Sequence, residues 1–266
     1  MVNRRLEHLS APAVAERVGA TSTIVWPIGA VEQHGPHLPL SVDHIVADAV
    51  AEAIVERCGD RHDLWLLPTL SVSKSDEHAW SPGTLWLSAT TLLSVVTDIG
   101  GCVASTGARR LLFLNAHGGN TSLLQVACRE LRRLHGLATF LTHPFVPADH
   151  GGASAATESG MGIHGGHDET SLMLHLRPEL VDMTLAERCV PDHLAQNSHV
   201  RFGGTVSFGW LSDDFGPSGH IGDPTGATAA EGERLFLTAI DLLEAQLDEI
   251  VHFDPAQNGS AQTRAK

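Results

Sequence analysis

The chain has 266 residues, of which 42% are hydrophobic and 18% are charged. This composition excludes a disordered chain, and the length is sufficient to bury a full hydrophobic core. The 31 acidic residues outnumber the 17 Lys and Arg residues, which gives a formal net charge of -14. Because an acidic surface repels phosphate groups, this charge argues against nucleic acid and anionic membranes as partners.

Two residue counts narrow the chemistry and the compartment. The chain contains 17 His and no Tyr, so a residue type other than Tyr must carry out any proton transfer. Its 4 Cys residues lie far apart without a C-x-x-C pair, which argues against a disulfide framework and against a cysteine zinc site. The opening residues have charges in every apolar stretch, and no apolar run reaches the ~18 residues of a membrane helix. We therefore expect a cytoplasmic protein.

Predicted strands and helices alternate along the chain. Short apolar runs rich in β-branched residues predict strands, and apolar residues at helical spacing predict helices. Strands are expected over 23–30, 64–72, 110–115 and 138–145. Helices are expected over 43–59, 91–107, 170–176 and 227–250, and one more follows the strand at 110–115 and its glycine-rich turn and ends near 135. Such alternation is typical of a mostly parallel sheet that is covered on both faces, so we expect an α/β fold.

The domain organisation is predicted to be simple. No repeat or linker divides the sequence, so residues 1–254 are expected to form a single domain. Two long glycine-rich loops, at 147–166 and 192–224, are candidates for a functional role. The polar residues 255–266 are expected to form a disordered tail.

Polar side chains cluster at three turns between a strand and a helix. The clustered residues are Glu32, His34, His37 and Asp43 after the first strand, His117 after the third, and His164, His167, Asp168 and Glu169 before the helix at 170–176. Ligands of open parallel sheets bind at the carboxyl ends of the strands, where helix N-termini also converge. We therefore expect these side chains to meet at one rim of the sheet.

The first cluster has the composition of a metal site. Glu32 and His34 are two residues apart, so their side chains point to the same side of an extended segment. Asp43 adds a carboxylate whose two oxygens can bridge two cations. Mixed nitrogen and oxygen ligands suit Zn²⁺, Mn²⁺ or Fe²⁺, and two such ions about 3.5–4 Å apart would activate a water and polarise a carbonyl. This is the chemistry of a hydrolase.

Each element of this pattern also has a simpler interpretation. A single loop His or Glu is usually a hydrogen-bonded surface group, and we adopt that view for His8, His62, His135, His193, His199 and His252. The NAHGGN segment alone is equally compatible with a glycine-rich turn or a weak anion-binding nest. Three polar clusters at three rim positions are harder to explain as solubilising residues, and this coincidence favours a functional site.

Five segments together resemble the creatininase family of amidohydrolases. They are EQHGPHLPLSVD, SDEHAWSPGT, NAHGGN, IHGGHDETS and GDPTGAT, which start at residues 32, 75, 115, 163 and 222. The resemblance covers nearly the whole chain. It implies a three-layer α/β/α sandwich with a mostly parallel central sheet, and a site with two divalent metal ions (Fe²⁺, Zn²⁺ or Mn²⁺) that opens C–N bonds of amides. It also implies a ring-like homo-oligomer.

The resemblance also implies roles for individual residues. The family's metal ligands correspond to Glu32, His34, Asp43 and His117, with Asp43 as the bridging carboxylate. Creatininase has a Glu two residues after the equivalent of His117, whereas this chain has Gly119, and we choose Glu169 as the replacement ligand. His164, which begins the H-x-G-x-x-E-T-S segment, is expected to be catalytic and to carry a proton to the leaving nitrogen.

The substrate pocket departs from creatininase. Creatininase has a Tyr where this chain has Gly118, so creatinine is a poor candidate, and the Gly-Gly turn is expected to leave more room near the metals. Candidate substrate-binding residues are Ser75, His78, Trp80, Gly118 and Gly119. Trp80 and Trp86 flank the P-G-T turn, where they either line the pocket or pack against the core.

Globally, the sequence is most similar to the branch of the family associated with mycofactocin biosynthesis. That similarity implies a peptidase that cuts the modified precursor peptide near its C-terminus and frees a cyclised residue derived from the last Val-Tyr pair. One alternative is a hydrolase of creatinine, a formamide or another small cyclic amide. A non-catalytic metal-binding protein is the alternative from another class, although the chain lacks the clustered His runs typical of metal storage.

Overall fold

The computed structural model describes residues 3–146 and 148–254. The strands are β1 (Thr23–Ile28), β2 (Leu64–Leu66), β3 (Arg110–Asn115) and β4 (Ala138–Thr142). The helices are α1 (Ala11–Arg17), α2 (Val42–His62), α3 (Ala89–Ser105), α4 (Thr121–His135), α5 (His167–Leu176) and α6 (Ala229–Ile250). The predicted tail at 255–266 lies outside the described residues.

The four strands form one parallel sheet in the order β2-β1-β3-β4. Thr23 of β1 lies opposite Leu64 of β2 on one side and Arg110 of β3 on the other, and Arg110 lies opposite Ala138 of β4. All six residues of β1 are buried, as expected for an inner strand that is covered on both faces. The carboxyl ends of β1 and β3 therefore lie side by side, at Ile28 and Asn115.

Alternating side chains of the strands build a separate hydrophobic core on each face of the sheet. Val25 and Leu112 point into a core shared with α2, α5 and α6, whereas Ile24, Trp26 and Phe113 point into a core shared with α3 and α4. Helices thus cover both faces. This confirms the predicted three-layer α/β/α sandwich with a parallel central sheet.

Several element boundaries differ from the sequence prediction for local reasons. β2 ends at Leu66 instead of 72, two residues before Pro68, which has no N–H group to donate to a ladder. Likewise, β4 ends at Thr142, two residues before Pro144. Helix α2 continues past Gly59 and ends at Asp63, which adopts a left-handed conformation with φ of 48°.

The close packing of α5 against α6 depends on a glycine. A Cβ atom at Gly232 of α6 would lie only 1.9 Å from the carbonyl oxygen of Ser171 in α5. The hydroxyl of Thr228 caps the start of α6 by accepting from the N–H of Glu231. Since α5 begins at the rim of the sheet, this packing fixes where its first turn lies.

The long loops of the second half fold against each other around a buried carboxylate. Glu158 accepts hydrogen bonds from the backbone N–H groups of Ala155, His167 and Asp223 and from the Ser154 hydroxyl. These contacts join the loop before α5, the start of α5 and the GDPTGAT segment. Among the described residues, no helix is long and apolar enough to cross a membrane.

Candidate metal centre

The candidate ligands come from the ends of β1 and β3 and from the first turns of α2 and α5. Glu32 and His34 follow β1, where the Glu32 N–H donates to the Leu40 carbonyl at 2.8 Å. Asp43 lies in the first turn of α2, where the helix dipole favours negative charge. His117 follows β3, and its carbonyl accepts from the Asn115 side chain at 2.7 Å.

Asp43 lies between two groups of ligand-type side chains. Its Oδ2 lies 3.2 Å from His117 Nδ1, which also lies 3.3 Å from Glu32 Oε1. Its Oδ1 lies 3.1 Å from His34 Nε2, and that nitrogen lies 3.9 Å from Glu169 Oε2. Asp43 forms one group with Glu32 and His117 and another with His34 and Glu169. Within each group the ligand atoms lie within 4.8 Å of one another. The structure therefore brings all five predicted ligands together, in two groups that share Asp43.

Several oxygens of this centre are buried without a hydrogen bond. Both carboxylate oxygens of Glu32 and Oδ2 of Asp43 have no hydrogen-bond partner among the described residues. The imidazole nitrogens of His117 and His164, at 3.3 and 3.5 Å from Glu32 Oε1, do not have hydrogen-bond geometry. A buried carboxylate is costly unless it is paired or binds a metal. Because the donors are carboxylates and imidazoles, the site fits divalent Zn, Mn or Fe.

The charged groups of the centre shift one another's pKa values. Burial raises the pKa of the Asp43 carboxyl, but His34 and His117 outweigh burial and hold that pKa below its usual range. Burial lowers the pKa of His34, but Asp43, Glu169 and Glu32 outweigh burial and raise it to about 10. Burial, opposed by His34 and reinforced by Asp43, raises the pKa of Glu169 to about 7. A divalent cation would balance this concentration of carboxylates.

His164, the predicted proton carrier, lies against the same centre. Its Nε2 donates to the carbonyl oxygen of Gln33 at 2.5 Å, and its Nδ1 lies 3.5 Å from Glu32 Oε1. The ring packs between those of His34 and His78, with a centroid distance of 4.2 Å to each. Burial, together with these two imidazoles, lowers the pKa of His164 well below its usual value. Glu32, His34 and His164 also form a third group with ligand spacing.

Three other polar residues predicted at this rim lie outside the ligand groups. His37 Nε2 lies 2.9 Å from the hydroxyl oxygen of Thr170, and its ring packs edge-on to His220 with centroids 5.5 Å apart. His167 and Asp168 lie in the first turn of α5 and pair with each other at 3.1 Å. Among the residues that the structure describes, none of the three belongs to a group with ligand spacing.

Glu77, which no sequence motif singled out, lies on the far side of His117. Its Oε1 lies 3.4 Å from His117 Nε2, and its Oε2 accepts from Lys74 Nζ at 2.9 Å. Burial raises the pKa of Glu77, but His117 and Lys74 outweigh burial and hold it below the usual range. A Cβ atom at Gly119 would lie 2.1 Å from Glu77 Oε1. The expectation that this glycine leaves extra room is therefore wrong, because Glu77 fills the space.

A cavity of about 110 Å³ opens beside the centre. Of the predicted substrate-binding residues, His78, Gly118 and Gly119 line it. A second cavity of about 340 Å³ shares a wall with the first, and the glycine turn belongs to that wall. Together the two cavities offer a larger binding region than the space at the ligands alone.

The tryptophans around the centre differ from the sequence expectation. Trp210, which was not singled out, lines both cavities. Trp80 does not line either of them; it is 41% exposed and its indole N–H donates to the Ser212 hydroxyl at 2.6 Å. Trp86 is 48% exposed, and Ser75 is fully buried away from both cavity walls.

Comparison with known proteins identifies the family. The sequence model of creatininase, described as creatinine amidohydrolase, matches residues 7–247. The chain belongs to the creatininase family. As a creatininase-family protein it is a hydrolase that acts on C–N bonds, which confirms the resemblance drawn from the five sequence segments.

Named relatives cover most of the chain. A mycofactocin precursor peptide peptidase of Mycobacterium ulcerans is 34% identical over 251 residues, which cover 88% of this chain and 91% of the relative. The protein of the same name from Mycolicibacterium smegmatis is 36% identical over 242 residues, which cover 89% of this chain and 87% of the relative. A creatinine amidohydrolase of Pseudomonas putida is 36% identical over 185 residues, which cover 63% of this chain and 69% of the relative.

Solved creatininase structures share the fold and include forms named for their metals. A structure titled as creatininase with Mn is 26% identical, has a TM-score of 0.72, and covers 94% of this chain and 99% of its own. A mutant creatininase of the Zn-Zn type is 27% identical, with the same TM-score of 0.72 and the same coverage of 94% and 99%. Mn and Zn are named for those creatininases, and the ligand groups around Asp43 in this chain support the binding of divalent metal.

Proposed function

We propose that this protein is a peptidase that hydrolyses an amide bond near the C-terminus of the modified mycofactocin precursor peptide, with two divalent ions at the centre. The observation that carries the proposal is the position of Asp43, whose two oxygens face two separate ligand groups. Family membership supports hydrolysis of a C–N bond. The two mycofactocin precursor peptidases, which match over most of both chains, support this substrate.

In this proposal each ion has its own ligands and both share one. Glu32 and His117 would hold the first ion, His34 and Glu169 would hold the second, and Asp43 would bridge them. Fe²⁺, Zn²⁺ and Mn²⁺ all suit this mixture of imidazole and carboxylate ligands. When bound, such ions lower the pKa of a water toward neutrality and polarise the scissile carbonyl.

His164 is proposed to move the proton that the leaving nitrogen needs. Its Nε2 proton is held on the Gln33 carbonyl, so the Nδ1 lone pair faces Glu32 and the centre. Since Nε2 keeps its proton on the Gln33 carbonyl, Nδ1 is the nitrogen that would accept a proton and then pass it on.

The role of His164 can be separated from ligation by substitution. We expect His164→Asn to lower kcat by roughly 10²- to 10⁴-fold, the usual contribution of acid–base catalysis, with KM and metal content unchanged. Kinetics combined with metal analysis would check this. A variant that loses one equivalent of metal would instead identify His164 as a ligand.

The size of the binding region also favours a peptide. The cavity at the ligands is about 110 Å³, and the adjoining cavity of about 340 Å³ provides space for further residues of a peptide chain. Trp210 lines both cavities and offers an apolar contact surface where they meet.

The test is mass spectrometry of the modified precursor peptide after incubation with metal-loaded protein. We expect a shortened peptide and a fragment derived from the last Val-Tyr pair. Asp43→Ala and His117→Ala are expected to abolish cleavage because each removes a proposed ligand. Asp98→Ala and His193→Ala, at exposed positions away from the centre, are the matched controls and should cleave normally.

Two outcomes would contradict the proposal. Cleavage that persists in both ligand variants after chelation and dialysis would rule out the metal mechanism. An intact precursor, with hydrolysis of creatinine or another small cyclic amide by the same preparation, would rule out the peptide substrate in favour of the activity for which the Pseudomonas putida relative is named.

A further inference from the structure

The glycine at 119 has a specific spatial requirement. A Cβ atom there would lie 2.1 Å from Glu77 Oε1, 2.5 Å from His117 Nε2 and 3.0 Å from the Lys74 carbonyl oxygen. Real Cβ atoms do not approach other atoms this closely. The absence of a side chain at 119 is thus what allows the Glu77 carboxylate to lie next to the His117 ring.

The Glu77 carboxylate is held firmly in this position. Its side chain is only 10% exposed, and Lys74 Nζ donates to Oε2 at 2.9 Å. The backbone of Lys74 is tied to the turn after β3, because its N–H donates to the side chain of Asn120 at 3.1 Å. The side-chain amide of Asn120 in turn donates to Asn115 at 3.2 Å. One hydrogen-bond network therefore joins the segment that carries Glu77 to the turn that carries His117.

The two nitrogens of the His117 ring face different surroundings. Nδ1 lies 3.3 Å from Glu32 Oε1 and 3.2 Å from Asp43 Oδ2, on the side of the ligand groups. Nε2 lies 2.8 Å from the Lys74 carbonyl oxygen, to which it donates, and 3.4 Å from Glu77 Oε1. A proton on Nε2 leaves the Nδ1 lone pair directed at the centre. Outer hydrogen bonds of this kind orient metal-ligating imidazoles and increase their basicity.

We propose that Glu77 is a positioning residue for the metal centre, which holds the His117 ring with its Nδ1 lone pair toward the metal, and that Gly119 is required because it leaves room for this carboxylate. The inference rests on the proposed assignment of His117 as a metal ligand. It does not depend on the identity of the substrate.

The neighbouring acid provides a matched control. Asp76 also pairs with Lys74 Nζ, at 2.8 Å, but its side chain is 46% exposed. Asp76→Asn therefore removes one negative charge from the same lysine without altering the surroundings of the His117 ring. Any effect that is specific to Glu77 must come from its position beside His117.

The experiment measures the affinity of the metal-free protein for Zn²⁺ by competition with a chromophoric chelator. Glu77 acts on the His117 ring through its charge at 3.4 Å, beside the hydrogen bond from Nε2 to the Lys74 carbonyl, and loss of an outer-shell partner typically weakens metal binding about 10- to 100-fold. We expect a loss of that size in Glu77→Ala, and a smaller loss in Glu77→Gln, which keeps one acceptor oxygen. Asp76→Asn should bind like the wild type. Cooperative thermal melting of each metal-free variant well above the assay temperature would separate positioning from a general loss of folding.

A double variant tests the link between Glu77 and Gly119. Gly119→Ala is expected to weaken Zn²⁺ binding in the wild-type chain, because the new methyl group displaces the carboxylate. In the Glu77→Ala background the contact with the carboxylate is gone and only the close contacts with His117 and the Lys74 carbonyl remain, so the same substitution should weaken binding by a smaller factor. Non-additive effects of this kind are expected only for groups in direct contact.

Three results would overturn the inference: wild-type affinity in Glu77→Ala, an equal loss in Asp76→Asn, or strictly additive effects in the double variant. Since Zn²⁺ binding is measured without any peptide, these results are independent of the proposed substrate. A wild-type protein that leaves the precursor intact, with the expected pattern of Zn²⁺ affinities, would refute the proposed function and support the role of Glu77.

Discussion

Two buried glutamates show how the same side chain can serve structure or metal binding. Glu158 is 2% exposed and accepts four hydrogen bonds, three from backbone N–H groups and one from Ser154. Glu32 is fully buried, yet neither of its oxygens has a hydrogen-bond partner in the part of the chain that the structure describes. A carboxylate that is satisfied by fixed N–H groups stabilises the fold, whereas one without such partners is suited to a cation.

This contrast gives different predictions for two matched substitutions. Glu158→Gln should lower the free energy of unfolding by roughly 1–3 kcal/mol, because an amide cannot accept all four hydrogen bonds. Glu32→Gln should lower that of the metal-free protein by less, since no hydrogen bond is lost and only the attraction to neighbouring imidazoles such as His117, 3.3 Å away, is weakened. Urea unfolding of the metal-free proteins measures both. A large loss of stability in the metal-free Glu32→Gln variant would contradict this account.

At the scale of elements, helices α3 and α4 meet at a glycine. A Cβ atom at Gly100 would lie 2.3 Å from a methyl carbon of Leu131, which is fully buried in the core. At the next position, Gly101, a Cβ atom would meet the His135 ring at an ordinary 3.4 Å. The two neighbouring glycines therefore differ: close packing of α3 against α4 requires the absence of a side chain at Gly100 but not at Gly101.

Alanine substitutions at these two positions should change stability in opposite directions. Gly101→Ala should stabilise the protein by about 0.5–1 kcal/mol, the usual gain in a helix interior. Gly100→Ala should destabilise it by about 1–3 kcal/mol through overpacking against Leu131. Chemical denaturation at one fixed metal concentration would compare them. Equal effects at both positions would show that the close contact with α4 carries no energetic cost.

The strand pattern allowed prediction of the elements and of the rim where the polar clusters lie, whereas the choice of the five proposed ligands, Glu169 above all, came from the family resemblance. Glu32 and His117 directly follow apolar strands, and the parallel order puts those strand ends side by side. The role of Glu77 could not be derived in this way, because it depends on how the loop around Lys74 folds over the turn at Gly119. Trp210 was missed for a similar reason, since only the folding of a long loop brings it to the cavity.

At the scale of the whole molecule, the centre connects segments that are far apart in sequence. Its ligand groups join the ends of β1 and β3 to the first turns of α2 and α5, and so bring the sheet and the helix layer on one of its faces into one site. A bound ion therefore stabilises the folded chain by mass action. The ring-like homo-oligomer implied by the family resemblance stays a prediction that light scattering would test.

Metal removal should destabilise the entire domain. At a free metal concentration 100 times its Kd, a single site adds about 2.7 kcal/mol to the free energy of unfolding. Thermal melting with Zn²⁺ and with a chelator should differ accordingly in the wild type. The difference should vanish in Asp43→Ala, which removes the shared ligand, and should persist in Asp98→Ala. A stabilisation that persists in Asp43→Ala would refute metal binding at this centre.

The fold is also expected to lose stability in acid through His143, which is partly buried. Burial and the neighbouring His150 lower the pKa of His143 from 6.5 to about 4. Between these pH values the unfolded chain binds more protons at this position than the folded chain, so the free energy of unfolding falls as the pH drops from 6.5 to 4. His143→Gln should reduce this slope in urea titrations, whereas the exposed His193→Gln should not. Identical slopes for His143→Gln and the wild type would contradict the prediction.

The close packing of α5 against α6 has a consequence for biosynthesis. Glu169 is carried by α5, and α5 is fixed only when Ser171 packs against Gly232 near the start of α6. On the ribosome, the other four proposed ligands emerge long before α6 is translated, because all of them precede residue 118. We therefore expect the proposed cation site of the nascent chain to stay incomplete until α6 docks, and metal capture by all five side chains to come at the last stage of synthesis.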